Sequence, residues 1–264
     1  MNAARRIKLH GPDAFAGMRA AGQLAAETLD MITPYVKPGV MTEEINRLCH
    51  EFIVSHGAVP APLNYRGYPK SICTSINHVV CHGIPGDKRL RNGDIVNIDV
   101  TVILDGWHGD TSRMYVAGKP SVKALRLIDV TFEAMWRGIE AVKPGARFGD
   151  VGHAIQAHAE DHRYSVVRDF CGHGLGRVFH DAPNVMHFGK KGDGLELKAG
   201  MIFTIEPMIN AGRFEVKILQ DEWTAVTKDR SLSAQFEHSI AVTGDGFEVF
   251  TLSPGGLHQP PYDL

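Results

Sequence analysis

The alternation of apolar and polar residues is clearest between Gly93 and Ser112. From Val96 to Val102 every second position is apolar and the positions between are polar, which is the period of a β-strand with one buried face. The apolar set is Val96, Ile98, Val100 and Val102, and the polar set is Asn97, Asp99 and Thr101. Asp105-Gly106 fits the two-residue turn of a hairpin, because both residues tolerate the left-handed conformation that such a turn requires. We therefore expect a return strand that begins at Trp107.

The pairing of this hairpin brings two acidic residues together. If Leu104 pairs with Trp107, then Thr101 pairs with Asp110, and Asp99 and Asp110 become diagonal neighbours on one face. Diagonal neighbours are about 7–8 Å apart at the backbone, so their side chains can converge on one point. Converging carboxylates repel each other unless a proton or a cation lies between them. The pattern alone leaves two alternatives, a site or two solvated aspartates on an edge hairpin.

Helical spacing of apolar residues marks four further segments. The first helix is predicted to end before Pro34, the second to have Thr42 as its N-cap, and the third to follow Pro120. The predicted helices cover residues 13–32, 42–55, 121–142 and about 148–161.

The order of these elements repeats. Val36-Lys37-Pro38-Gly39 recurs as Val142-Lys143-Pro144-Gly145, and the segment from Leu90 to Asp99 is echoed by the segment from Leu197 to Glu206. A helix follows each copy of the first motif. We therefore predict two related α/β halves, at about residues 13–118 and 119–252, within one domain that covers residues 1–264. The repeat makes Glu206 the counterpart of Asp99.

The remaining strand predictions lie between and after these segments. Tyr65 and Tyr68 belong to an aromatic loop, and residues 72–81 read as one strand up to Cys81. Residues 225–227, 236–242 and 247–252 read as strands, with a glycine-rich turn at 244–246. The Pro- and Gly-rich tail at 253–264 is predicted to be loose.

Composition narrows the function only slightly. The chain has 264 residues, 44% of them apolar and 22% charged, with a net charge of −2, which gives no reason to expect nucleic acid or an anionic membrane as a partner. Two early arginines precede no compact apolar run, so we expect neither a signal peptide nor a membrane span. The four cysteines show no CxxC spacing, which favours reduced thiols in the cytoplasm.

Three further residues are candidate ligands for a metal. His173 lies between glycines that permit close approach of other groups, Glu206 ends a strand, and Glu237 begins another. Together with Asp99 and Asp110 they would form an oxygen-rich site with one imidazole. Four carboxylates in one pocket need compensating charge of about two divalent ions, which at a separation of about 3.5–4 Å would hold a water or hydroxide nucleophile. Such ligands suit Mn, Fe, Co or Zn.

Four segments resemble the signatures of type I methionine aminopeptidases, bacterial metalloenzymes with the pita-bread fold. They are NIDVTVILDGWHGDTSRMYVAG, CGHGLGRVFHDAPNV, FTIEPMI and SAQFEHSIAV, and the resemblance runs from about Phe15 to Leu252. It implies an α/β (α+β) fold of two pseudo-symmetric halves, each of helices and antiparallel sheet, around one dinuclear metal site.

The resemblance assigns roles to named residues. Asp99, Asp110, His173, Glu206 and Glu237 fall on the five metal ligands, with Asp110 and Glu237 as bridges, and Glu206 also falls on the general base. His82 falls on the imidazole that contacts the scissile amide and helps the leaving amine. His180 falls on the one that binds the substrate carbonyl oxygen.

It also implies a substrate pocket and a second ion site. Tyr65, Tyr68, Phe179 and Trp223, with His82 and His180, match the walls of a methionine pocket, where a thioether gains sulfur–aromatic contacts. Asn77, Val79 and Ser233 resemble a monovalent-cation site for Na or K made largely of backbone carbonyls. Pro62 stands where relatives often have cysteine, and Arg66 where histidine is common, which leaves fine specificity open.

The implied reaction is hydrolysis of the initiator methionine from nascent chains in the cytoplasm, with a small second residue preferred. Contact with the ribosome is plausible for such an enzyme, although no sequence feature shows it. No long exposed apolar stripe calls for a partner subunit, so we expect a monomer.

The sequence also allows other interpretations of individual residues. His153, His158 and His162 lie in a polar helix and are more typical of a solvated surface than of a metal site. The glycines around His173 resemble a phosphate loop only weakly, because no Lys-Ser or Lys-Thr follows. His82, Tyr65 and Tyr68 would by themselves be ordinary structural residues.

Two other functions remain as alternatives. A prolidase or proline aminopeptidase of the same fold usually has an extra N-terminal domain and more histidines at its site. A metal-free binding protein of this fold would be expected to have lost ligands, and all five are present here. Type II aminopeptidases have an insertion of dozens of residues between the last two acidic ligands, whereas Glu206 and Glu237 are 237 − 206 = 31 positions apart.

Overall fold

Four amphipathic helices and a long hairpin form the frame of the protein. The computed structural model describes residues 7–262, so the arginines at positions 5 and 6 lie outside it. The helices are α1 (Pro12–Ile32), α2 (Thr42–Ser55), α3 (Val122–Glu140) and α4 (Phe148–Asp161), with 3-10 turns at Thr33–Tyr35 and Tyr65–Gly67. All four predicted helices are confirmed. No helix in the described part of the chain is long and apolar enough to cross a bilayer.

The strands follow the antiparallel pairing of a mixed α/β fold. They are β1 (Val59–Pro60), β2 (Cys73–Ile76), β3 (Val79–Cys81), β4 (Ile95–Leu104), β5 (Trp107–Val116), β6 (Ser165–Val166), β7 (Gly172–Gly174), β8 (Asp181–Val185), β9 (Ile202–Ile205), β10 (Met208–Asn210), β11 (Val216–Ile218), β12 (Ala225–Thr227), β13 (Ser233–Gln235), β14 (Glu237–Val242) and β15 (Phe247–Val249). Within residues 7–262, nine strands form the main sheet in the order β1-β4-β5-β14-β9-β7-β8, with β2 on β4 and β15 on β14. Two three-stranded sheets, β13-β10-β6 and β11-β12-β3, complete it.

The predicted hairpin and its register are confirmed. Leu104 pairs with Trp107 and Thr101 with Asp110, and the turn residues Asp105 and Gly106 have φ of 49° and 77°. The prediction of a single buried face was incomplete, because Asn97 and Thr101 on the polar face are only 3% and 1% exposed. That face is covered by the other half of the protein rather than by solvent. Asn97, for example, donates to the carbonyl oxygen of Gln235 at 2.8 Å.

Each half of the chain packs its helices on its own part of the main sheet. One core cluster joins the inner faces of α1 and α2 to the apolar face of β4, including Leu29, Ile53 and Ile98. A second cluster joins α3 and α4 to β9 and β14, including Ile139 and Phe203. Burial of apolar area on this scale is the main stabilising term in a domain of this size. The strands between the two helix pairs are therefore held from both sides.

The backbone contacts made by the two repeated motifs correspond. Gly39 donates to the carbonyl oxygen of Leu90 at 2.7 Å, and Gly145 donates to that of Leu197 at 3.0 Å. Both glycines have positive φ, at 92° and 84°, which explains why the turn requires glycine in each copy. The turn between the two helices therefore makes the same backbone contact, with the segment that precedes the acidic residue, in both halves.

Two predicted details differ from the structure. Thr42 is the first residue of α2 rather than its N-cap, and its hydroxyl exchanges hydrogen bonds with the backbone of Gly86 instead of capping the helix. Residues 72–81 form two strands rather than one, because Asn77 adopts a left-handed conformation with φ of 56°. The break sends β2 to the main sheet and β3 to a smaller one.

The C-terminal segment is packed as far as residue 262, contrary to the predicted loose tail. The hydroxyl of Ser253 and the N–H of Gly255 both donate to the carboxylate of Asp30. Farther along, the hydroxyl of Tyr262 donates to the carbonyl oxygen of Met114 at 2.7 Å. These hydrogen bonds hold the tail against α1 and the hairpin.

We predict that Asp30→Ala lowers the free energy of unfolding by about 3 kcal/mol, because it leaves a buried guanidinium without its partner. Asp30 accepts from Arg113 at 2.6 Å, and the side chain of Arg113 is 4% exposed. Asp87→Ala, at an exposed position, is the control and should change the free energy by less than about 0.5 kcal/mol. Guanidinium unfolding of both variants measures this. Equal effects would contradict the assigned role of the Asp30–Arg113 pair.

Candidate metal centre

The hairpin places two carboxylates in the wall of a cavity of about 330 Å³. Asp99 and Asp110 both line it, as the register requires. The hydroxyl of Thr101, which pairs directly with Asp110, donates to Asp110 Oδ1 at 2.6 Å. Because one carboxylate oxygen is held in this way, the other is free to face the cavity.

His173 approaches these carboxylates from strand β7. Its Nδ1 donates to the carbonyl oxygen of Gly174, and its Nε2 lies 3.4 Å from Asp110 Oδ2 and 3.7 Å from Glu206 Oε1. A Cβ on Gly174 would lie 2.0 Å from the carbonyl oxygen of Ala182, so only glycine permits this strand packing. An imidazole whose Nδ1 binds a carbonyl presents Nε2 as a metal ligand.

The second half supplies two more carboxylates. Glu206 follows the last residue of β9, and Glu237 is the first residue of β14, which lies between β9 and β5. One ligand atom from each of Asp110, His173 and Glu237 lies within 4.8 Å of the others. The structure thus brings all five predicted ligands to one cavity.

The electrostatics of this cluster call for a cation. Loss of hydration, with the charges of Asp110 and Glu206, holds the pKa of Asp99 well above its ordinary range. The pKa of Glu237 is raised in the same way, and that of Glu206 is raised to about 7, chiefly by burial. Burial alone would lower the pKa of His173, but Asp110 and Glu206 raise it to about 9. A set of hard oxygen donors with one imidazole and excess negative charge fits divalent ions.

Aromatic side chains form the walls above the cluster, and all six predicted pocket residues line the cavity. Tyr68 meets Trp223 edge to face with centroids 5.1 Å apart, and Tyr65 lies 4.9 Å from Phe179. The hydroxyl of Tyr68 donates to the carbonyl oxygens of Ile72 and Gly83, which fixes its ring. The cavity is therefore apolar above and acidic below.

Two histidines lie between the aromatic walls and the acidic cluster. His82 has φ of 56°, an uncommon backbone conformation for a residue with a Cβ, and it packs against Trp223 and Phe170. Burial lowers its pKa. Burial and the neighbouring His173 lower the pKa of His180 to about 4. Both imidazoles are therefore neutral at physiological pH.

Several residues of the site were not predicted from the sequence. The hydroxyl of Thr204 donates to Glu206 Oε1 at 2.6 Å and accepts from the backbone N–H of His173 at 3.0 Å. Gln235 lines the cavity and contacts Glu206 through its amide nitrogen. Thr204 stands two positions before Glu206. Because residues i and i+2 of an extended chain share a face, this spacing is the sequence signal that indicates Thr204.

Of the three predicted monovalent-cation residues, Asn77 lies at the turn between β2 and β3, and Ser233 begins β13. The N–H of Ser233 donates to the carbonyl oxygen of Asn77 at 2.8 Å, and Val79 begins β3 two residues later. The hydroxyl of Ser233 is buried and has no partner among residues 7–262.

The histidines of α4 are only partly solvated. His153 is exposed as predicted, whereas His158 and His162 are half-buried and in ring contact at 4.5 Å. His162 Nδ1 donates to the carbonyl oxygen of His158. The two rings pack against each other at the C-terminal end of α4.

The family of the chain follows from comparison with known proteins. The model of metallopeptidase family M24 matches residues 16–244. The chain therefore belongs to metallopeptidase family M24, and its candidate metal site is consistent with a metallopeptidase.

Methionine aminopeptidases of bacteria are similar to this chain over nearly its whole length. The enzyme of Rickettsia prowazekii (strain Madrid E) is 66% identical over 97% of this chain and 99% of its own, and that of Escherichia coli (strain K12) is 54% identical over 93% and 94%. The crystal structure of the Rickettsia prowazekii enzyme covers 94% of this chain and 100% of its own, with a TM-score of 0.93. The predicted pita-bread fold is thereby confirmed.

We predict that Thr204→Val weakens the binding of Mn²⁺ to the metal-free protein by about 10–100-fold, because Glu206 and His173 both lose the hydroxyl that orients them. Thr204→Ser retains the hydroxyl and should bind within about threefold of the unchanged protein. Isothermal titration calorimetry measures both affinities. An affinity for the valine variant equal to that of the serine variant would show that the hydroxyl does not orient the ligands.

Proposed function

We propose that this M24 metallopeptidase is a methionine aminopeptidase. It hydrolyses the bond after an N-terminal methionine and prefers a small second residue. The observation that carries the proposal is the position of an acidic cluster with one imidazole at the floor of an aromatic cavity. Identity of 54–66% to methionine aminopeptidases over nearly the whole chain supports the choice of substrate.

The proposed ligands of two divalent ions are Asp99, Asp110, His173, Glu206 and Glu237. When bound, such ions neutralise the carboxylates and act as Lewis acids that activate water and polarise the substrate carbonyl. Ligand type is compatible with Co, Mn, Fe or Zn, and cellular supply decides among them. Asp110 and Glu237 would be the ligands shared by the two ions, and they lie on the adjacent central strands β5 and β14.

Glu206 is the proposed general base. Its Oε1 accepts from Thr204 at 2.6 Å, whereas Oε2 makes a long contact of 3.5 Å with the amide nitrogen of Gln235, so Oε2 is the oxygen proposed to take a proton from the attacking water. Without ions in the cavity, burial raises the pKa of Glu206 to about 7, and bound divalent ions would lower it, so that the carboxylate is ionised and able to accept a proton.

The two neutral histidines are proposed to bind the scissile amide. His180 Nδ1 lies 2.9 Å from the hydroxyl of Tyr65. If that hydroxyl donates, the ring proton is on Nε2, which can donate to the substrate carbonyl oxygen as negative charge develops there. His82, held between Trp223 and Phe170, is proposed to contact the amide nitrogen and assist its departure.

The cavity is proposed to hold the methionine side chain between Tyr68, Trp223 and Phe179. A thioether gains from contact with aromatic edges and fills irregular apolar space well. The rest of the bound peptide would extend out of the cavity through its opening to solvent, where Arg66 and Asp169 are exposed. Pro62 and Arg66 are therefore the residues that we expect to adjust fine specificity.

The remaining assignments concern context. The orphan hydroxyl of Ser233 supports a Na or K ion held with Asn77 and Val79. We propose that the substrates are the N-termini of nascent chains in the cytoplasm and that the protein acts as a monomer. An enzyme that acts on nascent chains would contact the ribosome.

We predict that the Mn²⁺- or Co²⁺-loaded protein releases methionine from Met-Gly-Met-Met and leaves a Xaa-Pro peptide intact. The expected reason is that the aromatic cavity accepts the thioether of an N-terminal methionine, so a peptide with a different first residue before proline is not held for cleavage. Chromatography of the products, with and without added metal, measures both reactions. Cleavage of only the proline peptide would replace the proposed activity by that of a prolidase or proline aminopeptidase.

We predict that Glu206→Gln lowers kcat by at least about 10²-fold, because an amide cannot accept the proton. Binding of a non-hydrolysed methionine peptide should change far less, since the pocket walls are untouched. Steady-state kinetics and equilibrium dialysis measure the two quantities, with Glu222→Gln at the surface as a control. Turnover near that of the control would exclude Glu206 as the base.

A further inference from the structure

A buried histidine contacts the backbone of Glu206 from behind the cavity. His187 lies two residues beyond β8 and is 1% exposed. Its Nε2 is 3.0 Å from the backbone nitrogen of Glu206. Because a backbone N–H can only donate, the imidazole is the acceptor of this hydrogen bond.

The N–H of Glu206 needs such an acceptor because the sheet ends there. β9 ends at Ile205, whose pairing with His238 is the last in the β9–β14 ladder. A buried N–H without a partner costs about as much as a lost hydrogen bond. The next residue, Pro207, restricts Glu206 to extended backbone conformations and has no N–H of its own. The peptide that carries the Glu206 side chain is thus fixed by Pro207 on one side and by His187 on the other.

His187 is itself held by helix α4. A Cβ on Gly152 would lie 2.5 Å from the carbonyl oxygen of Phe188 and 2.8 Å from that of Met186. The helix therefore packs directly on the backbone at both sides of His187. This contact fixes the distance from α4 to Glu206.

An imidazole at position 187 lowers the stability of the folded protein relative to an acceptor side chain that has no unpaired donor. With Nε2 as acceptor, the ring proton is on Nδ1, and Nδ1 is buried with no partner among residues 7–262. A buried donor that is left unpaired costs about 1–3 kcal/mol. A structural role would be filled better by a side chain without that donor.

We propose that His187 is a positioning residue, whose Nε2 fixes the backbone of Glu206 so that the carboxylate is correctly placed for metal binding and proton transfer. The proposal rests on the proposed function for its kinetic consequence, but its effect on metal binding does not require a substrate.

The experiment compares His187→Leu, which removes the acceptor, with His187→Gln, whose amide oxygen can replace it. His158→Leu is the matched control, because His158 also has a buried ring nitrogen with no partner in the described chain but lies on α4, away from the cavity wall. Binding of Mn²⁺ to each metal-free protein is measured by calorimetry, kcat and KM are measured with a methionine peptide, and Tm is measured by calorimetric scanning.

We expect His187→Leu to weaken Mn²⁺ binding and lower kcat by about 10-fold or more each, with KM little changed. Its Tm should change by no more than about 4 °C, because one unpaired donor is exchanged for another. His187→Gln should recover most of both losses, and His158→Leu should lose neither. Unchanged Mn²⁺ affinity in the leucine variant, or equal losses in the leucine and glutamine variants, would overturn the proposal.

A measurement on the unchanged protein covers the case in which the leucine variant does not fold. Long-range ¹H–¹⁵N correlation spectra report which ring nitrogen of His187 is protonated. Protonation at Nδ1 with a bare Nε2 supports the proposal. Protonation at Nε2 overturns it, since that nitrogen could not then accept from Glu206. Weakened Mn²⁺ binding in His187→Leu would support the positioning role even if the methionine peptide proved not to be a substrate. Unchanged Mn²⁺ binding would overturn the positioning role and leave the proposed function intact.

Discussion

Four carboxylates share one cavity, and the negative charge that they bring together constrains the whole structure. Asp110 and Glu237 are only 3% exposed, and the pKa values of Asp99 and Glu237 are held well above their ordinary range. His173 can contribute at most one positive charge. Cations are therefore expected to stabilise the folded state as well as to serve its chemistry, because they bind the assembled cluster and not the unfolded chain.

The ligands are placed by rigid elements from both halves of the chain. β5, β14 and β9 are adjacent strands of the main sheet, and each carries one of the carboxylates Asp110, Glu237 and Glu206 within it or at its end. Helix pairs pack on this sheet from each half, so a shift of one strand would disturb both cores. The hydroxyls of Thr101 and Thr204 then fix individual carboxylate oxygens. A site built in this way is oriented before ions or substrate arrive.

Patterns within short segments of the sequence predicted the hairpin that carries Asp99 and Asp110. The period-two alternation and the Asp-Gly turn predicted the register of the hairpin, which makes Asp99 and Asp110 diagonal neighbours on one face. The repeat related Glu206 to Asp99. The loose-tail prediction failed because composition does not show that Ser253 and Tyr262 have partners at Asp30 and Met114. Thr204 and His187 were missed because their roles depend on contacts between segments that only folding brings together.

The most direct test of this account is anomalous diffraction from crystals of the protein soaked in Mn²⁺. The account predicts two manganese peaks about 3.5–4 Å apart, enclosed by the carboxylates of both halves and His173. Absence of manganese from this cavity at saturating concentration, or ions bound only at the surface, would contradict the claim that the acidic cluster is a metal centre.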